Sequence, residues 1–290
     1  MLACLGLTLV SAQQVTVVEQ TLLLGDEVAG YHPVLNTLGD KLLFTSMDND
    51  ALCVYDFGTG AVTQVSDLPG SGMDASWGTD GKVYYVAQER HSNNLLYRSV
   101  RRHDLSTAVD EEIVEAQHGA VLVAKSLEGT TAIIGKARGW TKLQPTATNV
   151  YTEGSEVVVT INGKEHRYSP VESWAGYLWS SISPDGTRVA FFAAGRGIVV
   201  IDLAGNVLAE LGNYEMPCWY DNDYIIAQNA TDDGYQFKSS QIMLLKADGT
   251  WRRELTTPTS MTMQPTAANG KIVYTTIDGR LQLMRIIIND

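Results

Sequence analysis

Three arginines, Arg90, Arg138 and Arg196, recur after strand-like segments in three successive stretches of the chain. A guanidinium presents a planar fork of donors that fits a carboxylate, so three of them on one rim would receive an anionic group such as a peptide carboxylate or an acidic sugar. His91 sits beside the first, and Trp140 beside the second. With Tyr31, Trp174 and Tyr235 they make a set of rings and cations with both contact area and polar handles, the residue types that dominate binding hot spots. His32, His91 and His118 are weak candidates for a divalent metal, because their spacing matches no ligand signature such as His-x-x-x-His. Asp48-Asn49-Asp50 and Asp232-Asp233-Gly234 resemble calcium loops in composition, but no Glu follows at the required distance, and turn chemistry accounts for both. No Gly-x-Ser-x-Gly nucleophile motif is present, and Asp185-Gly186 and Asp248-Gly249 lack the spacing of a sialidase Asp-box. No catalytic residues are assigned, the reading leans away from an enzyme, and no cofactor is implied.

What positions these residues is a repeat. Ser183-Pro184-Asp185-Gly186-Thr187 reads as a turn, followed by an apolar strand over 188–192. Weaker copies turn at 38–41, 79–82, 127–130, 221–223 and 268–271, roughly 36–60 residues apart, as expected when each copy is one propeller blade. A second turn follows in most copies, at 56–60, 162–164, 202–205 and 247–250, and Asn162-Gly163 is the strongest hairpin signal among them. Two hairpins per copy give four antiparallel strands. The chain thus reads as all-β, a six-bladed propeller of four-stranded blades at about 28–67, 68–115, 116–170, 171–212, 213–257 and 258–290. The sixth copy lacks an outer strand, and residues 15–24 form a strand with no blade of its own. The N-terminal strand is therefore expected to complete the sixth blade over 13–25 and close the ring. Residues 13–290 form one domain.

In such a ring the connections entering the innermost strands share one face with the connections between second and third strands. The first set carries Tyr31, His32, His118, Trp174, Tyr177 and Tyr214; the second carries Arg90, His91, Arg138, Trp140, Arg196 and Tyr235. The stretch 138–154, with Trp140, Leu143, Pro145 and Tyr151, is too apolar for an idle link and is expected to fold over the channel mouth. Trp179, Trp219, Tyr274, Tyr84-Tyr85 and Phe191-Phe192 are expected between the blades as core.

The formal net charge of −12 excludes a nucleic-acid role, which needs clustered Lys and Arg. Residues 1–12 are apolar and end in Val10-Ser11-Ala12, which suits signal-peptidase cleavage. No Lys or Arg precedes Lys41, so the leader is read as truncated. Export to the periplasm or medium is the resulting expectation, with no membrane span in the mature chain. Cys53 and Cys218 fall in distant blades and read as unpaired.

Ser183-Pro184-Asp185-Gly186, then Val189-Ala190-Phe191, then the strand 198–201 with Asp202 and Gly205, resembles the WD40-like (PD40) repeat of TolB-type six-bladed propellers. The fourth copy matches well, the first, second and fifth in outline, and the third and sixth in spacing. That resemblance implies an exported, bacterial, non-catalytic scaffold capturing a protein, peptide or glycan ligand in the cell envelope. Because the same repeat resembles the propeller of oligogalacturonate-lyase-like enzymes, a metal-assisted polysaccharide lyase or hydrolase is the alternative.

Overall fold

The structure, a computed structural model, describes residues 14–25, 28–73, 75–78, 80–118, 121–124, 132–135, 139–142 and 148–289; for 121–124, 132–135 and 139–142 it describes the backbone alone. The expected leader, residues 1–12, lies outside the described residues. So does Arg138.

The chain is all-β and circular. It opens with β1 (Gln14–Leu22), then builds a first sheet from β2 (Tyr31–Leu35), β3 (Lys41–Thr45), β4 (Leu52–Asp56) and β5 (Val62–Ser66). The second comprises β6 (Ser76–Trp77), β7 (Val83–Arg90), β8 (Leu96–Asp104) and β9 (Val109–His118). Two smaller sheets follow. One holds β10 (Val121–Ala124), β11 (Ala132–Gly135) and β12 (Gly139–Lys142); the other holds β13 (Asn149–Glu153), β14 (Glu156–Ile161) and β15 (Lys164–Tyr168). Next come β16 (Tyr177–Ile182), β17 (Arg188–Ala193), β18 (Gly197–Asp202) and β19 (Val207–Gly212). The sixth sheet has β20 (Glu215–Trp219), β21 (Tyr224–Asp232), β22 (Phe237–Lys246) and β23 (Arg252–Glu254). The last has β24 (Thr262–Ala268), β25 (Lys271–Thr276) and β26 (Gln282–Asn289), with β1 as its fourth strand.

Ring closure by the N-terminal strand is present as expected. β1 runs antiparallel to β26 from Gln14 opposite Asn289 to Leu22 opposite Gln282, with one bulge between Val17 and Glu19. The Gln20 amide donates to the Tyr274 hydroxyl at 2.9 Å, tying the closing strand to the sheet interior.

Among the described residues, the interval 116–170 carries two three-stranded sheets, β10–β12 and β13–β15. The reason is local. Gly154 adopts φ 60, which lets Glu153 and Glu156 face each other across a two-residue turn and starts a new hairpin where the sequence reads as a loop. Within 138–154 the described residues include β12 and β13, and the Asn162-Gly163 turn joins the last two strands of the β13–β15 sheet.

The Ser-Pro-Asp-Gly turn forms as its chemistry dictates. Gly186 takes φ 72 and donates to the Ser183 carbonyl at 2.8 Å, while the Asp185 carboxylate accepts from the Thr187 N–H at 3.1 Å and its hydroxyl at 2.8 Å. The strands it launches bury apolar faces against both neighbours. Val157, Val159, Tyr177, Phe191, Val199 and Ile201 form one such inter-sheet cluster; Ile198, Trp219, Ile225 and Met243 belong to the next. Phe191 is 0% exposed, so Phe191→Ala should lose about 3–5 kcal/mol of unfolding free energy in a denaturant titration.

Candidate functional site

Innermost strands of a propeller have no partner on their channel side, so their outward N–H groups need another acceptor. Side chains of the adjacent sheet supply it here. Leu35 N donates to Thr266 Oγ1 at 3.2 Å, His32 N to Gln264 Oε1 at 2.8 Å, Gln264 N to Gln228 Oε1 at 2.9 Å, and Ala267 N to Cys218 Sγ at 3.2 Å. The Trp219 indole likewise donates to the Ser181 carbonyl at 3.3 Å. Neighbouring sheets are thereby stitched at the channel wall.

Four of these strands share a distortion at the mouth. Pairing slips between Tyr31 and Val34, Leu178 and Ser181, Glu215 and Cys218, and Met263 and Thr266. The first residue inside each slip is left-handed: His32 (φ 49), Trp179 (φ 53), Met216 (φ 53) and Gln264 (φ 54). None is glycine, so each position stores about 1 kcal/mol or more of backbone strain. Pro33, Pro217 and Pro265 follow three of them. Proline has no N–H to contribute to a ladder, and bulges are where strands tolerate it. Because β16, β20, β24 and β2 are consecutive round the ring, the four residues form one continuous arc, apolar at Trp179 and Met216 and polar at Gln264 and His32.

The polar end is internally bonded, with Gln264 Nε2 also 3.4 Å from His32 Nε2. Burial lowers the pKa of His32, which keeps its ring neutral at pH 7. At the apolar end, Trp179 is 41% exposed and lies 5.3 Å from the Phe192 ring. Next to Met216, the Glu215 carboxyl is pushed up first by burial and then by the Asp232 charge.

The residues singled out in the sequence are dispersed around this arc. Trp174 is 83% exposed and borders an open cleft of 620 Å³ that also includes Glu172, Ser155, Ser169 and Arg196. Tyr235 is 98% exposed at the tip of the β21–β22 hairpin. Arg196, however, grips Glu210 in a two-point pair at 2.6 and 3.1 Å, which raises its pKa further. Arg90 donates to the Asn94 carbonyl at 2.8 Å within its own hairpin. With Arg138 outside the described residues, the other two arginines are engaged locally rather than gathered into a positive focus. Trp140 lies on β12, where only the backbone is described. Tyr31 is buried beneath the mouth, not on it.

His91 pairs with Glu89 and stacks 3.9 Å from Tyr97, and His118 lies 5.9 Å from the same ring. His32 belongs to a different sheet. The three histidines do not converge, and among the described residues no three His, Cys, Asp or Glu are placed to hold a metal ion. Cys53 and Cys218 are free thiols on β4 and β20.

Trp179, Met216 and Gln264 carry no motif that marks them. The one available signal was proline recurring inside innermost strands, at 33, 217 and 265.

No family model and no curated protein matches the chain. Solved structures do resemble it. TolB from Acinetobacter baumannii is 16% identical with a TM-score of 0.53, over 79% of this chain and 55% of that one, so the chain spans about half of TolB's length. Virginiamycin B lyase from Staphylococcus aureus is 12% identical with a TM-score of 0.63, over 95% and 100%. The propeller domain of Cps50 (Swd1) from Myceliophteria thermophila is 10% identical with a TM-score of 0.58, over 94% and 99%. At such identities the likeness is one of fold: this is a β-propeller. Among the described residues no helix is long and apolar enough to cross a membrane.

Left-handed backbone disfavours β-branched residues and admits Asn, so Met216→Val should lose about 1–2 kcal/mol more stability than Met216→Asn in urea titrations. Glu215 has a folded pKa above its ordinary value of 4.5, so the unfolded chain ionises more readily and the charge opposes folding as pH rises. Glu215→Gln should therefore raise the melting temperature at pH 7 and leave it unchanged below about pH 4.

Proposed function

We propose that this chain is a non-catalytic binding scaffold that captures a protein or peptide at the channel mouth. The observation that carries the reading is the arc of strained bulges bearing Trp179 and Met216, surrounded by the outward rings of Trp174 and Tyr235. Strain retained at four equivalent positions points to a use for the side chains it aims. Large exposed rings on a rigid rim supply contact area at low entropic cost. A glycan would use the same rings, but Met216 favours an apolar side chain over a sugar face. The fold shared with TolB and with the Cps50 propeller is compatible with this use. The apolar start of the sequence supports export, to the periplasm or the medium. The alternative, a metal-assisted lyase, needs a convergent ligand set that the described residues do not offer.

A photo-crosslinking amino acid tests the face used. Placed at Tyr235 it should yield adducts in the producing cell, whereas at Val109, exposed on the opposite face, it should yield none. Adducts from position 109 alone, or from neither position, would refute the assignment.

A further inference from the structure

The charge around the apolar end of the arc bears on what kind of partner it takes. Among the described residues, the cations of the surrounding mouth loops are engaged: Arg90 with the Asn94 carbonyl, Arg196 with Glu210, Lys238 with Asp233 at 2.7 Å, and Arg280 with Asp278 at 3.0 Å. Among the described residues neither Glu215 nor Asp232 has an ion-pair partner, and the Asp232 charge acts on Glu215 within the sheet that carries Met216. The Asp232 carboxylate does accept the Gly234 N–H at 2.8 Å, a turn bond that leaves its charge unneutralised. Glu172 lines the cleft beside Trp174 together with Arg196, whose charge acts on it as well as on Glu210. The apolar side chains of Trp179 and Met216 thus share their end of the arc with the carboxylates of Glu215 and Asp232.

We propose that the Trp179–Met216 end of the mouth receives an extended, basic segment of a partner protein, with an apolar side chain seated against Trp179 and Met216 and flanking Lys or Arg side chains meeting Glu215 and Asp232. This rests on the mouth being the binding face. Trp179 stacks on the aliphatic or cationic part of the incoming segment, since both are attracted to an aromatic face. Complementary charge steers the encounter and weakens with salt. The prolines of the bulges remove donors from the rim, which disfavours an acidic segment that would need them.

The test uses two fluorescently labelled pentapeptides, Lys-Leu-Lys-Phe-Lys and Glu-Leu-Glu-Phe-Glu, both capped, titrated with the full chain and read by anisotropy. The basic peptide should bind roughly tenfold or more tighter than the acidic one, and should weaken as salt rises. Glu215→Gln and Asp232→Asn should each weaken it about threefold, and Tyr235→Ala, which removes an outward ring without touching the core, should weaken it as well. Trp179→Ala should abolish binding, while Val109→Ala should leave it unchanged. Equal or tighter binding of the acidic peptide, no binding of the basic one, or indifference to both Trp179→Ala and Tyr235→Ala would overturn the proposal. Crosslinks from position 235 together with failure of the basic peptide would remove this partner class and leave the mouth as the binding face. Absence of crosslinks from that position would remove the underlying reading itself.

Discussion

Pairing of β1 with β26 is the interaction on which the architecture depends. Without it the last sheet would end on β26, exposing a row of unpaired donors and acceptors, and the first and last sheets would be joined only by side-chain contacts and the Gly30 N–H to Gly279 carbonyl bond at 2.8 Å. The register along the whole of β1, the Leu23 N–H to Leu281 carbonyl bond at 2.9 Å, and the Gln20–Tyr274 bond fasten the chain's ends into one sheet. A ring closed in this way holds its inner strands at fixed distances. Only then can side chains of one sheet serve as acceptors for the backbone of the next, as Gln264 does for His32 and Gln228 does for Gln264.

That constraint also explains where strain accumulates. An innermost strand must bring its wide end to the channel mouth and still pair with its own sheet farther down. A bulge reconciles the two by adding one residue on the channel side and re-aiming it. The left-handed residues at 32, 179, 216 and 264 are the result, and three prolines stand where a ladder donor would have been lost in any case. The mouth is therefore rigid for the same reason the ring is closed.

Electrostatics distribute unevenly over this frame. Lys238 and Arg280 are neutralised within their own hairpins, and the Arg196–Glu210 pair shows how a cation that looks available in the sequence becomes internal to one sheet. Such exposed pairs add little stability, but they decide which charges remain to face a ligand. Around Met216 the charge that remains, at Glu215 and Asp232, is negative.

The sequence by itself determined the class of fold and the closing strand, because turn chemistry and strand-length apolar runs are local properties. Asp-Gly and Asn-Gly turns, and an unpaired strand at each end, carry that information without reference to distant residues. It also placed Trp174 and Tyr235 on outward loops. Only the tertiary structure decided that the interval 116–170 makes two sheets, since the hairpin at Gly154 depends on strands finding partners rather than on a strong turn motif. It likewise decided that Trp179 reaches the mouth rather than the core, and that Arg90 and Arg196 are engaged. Register slips and ion-pair partners are set by contacts between strands far apart in the chain, and no local pattern encodes them.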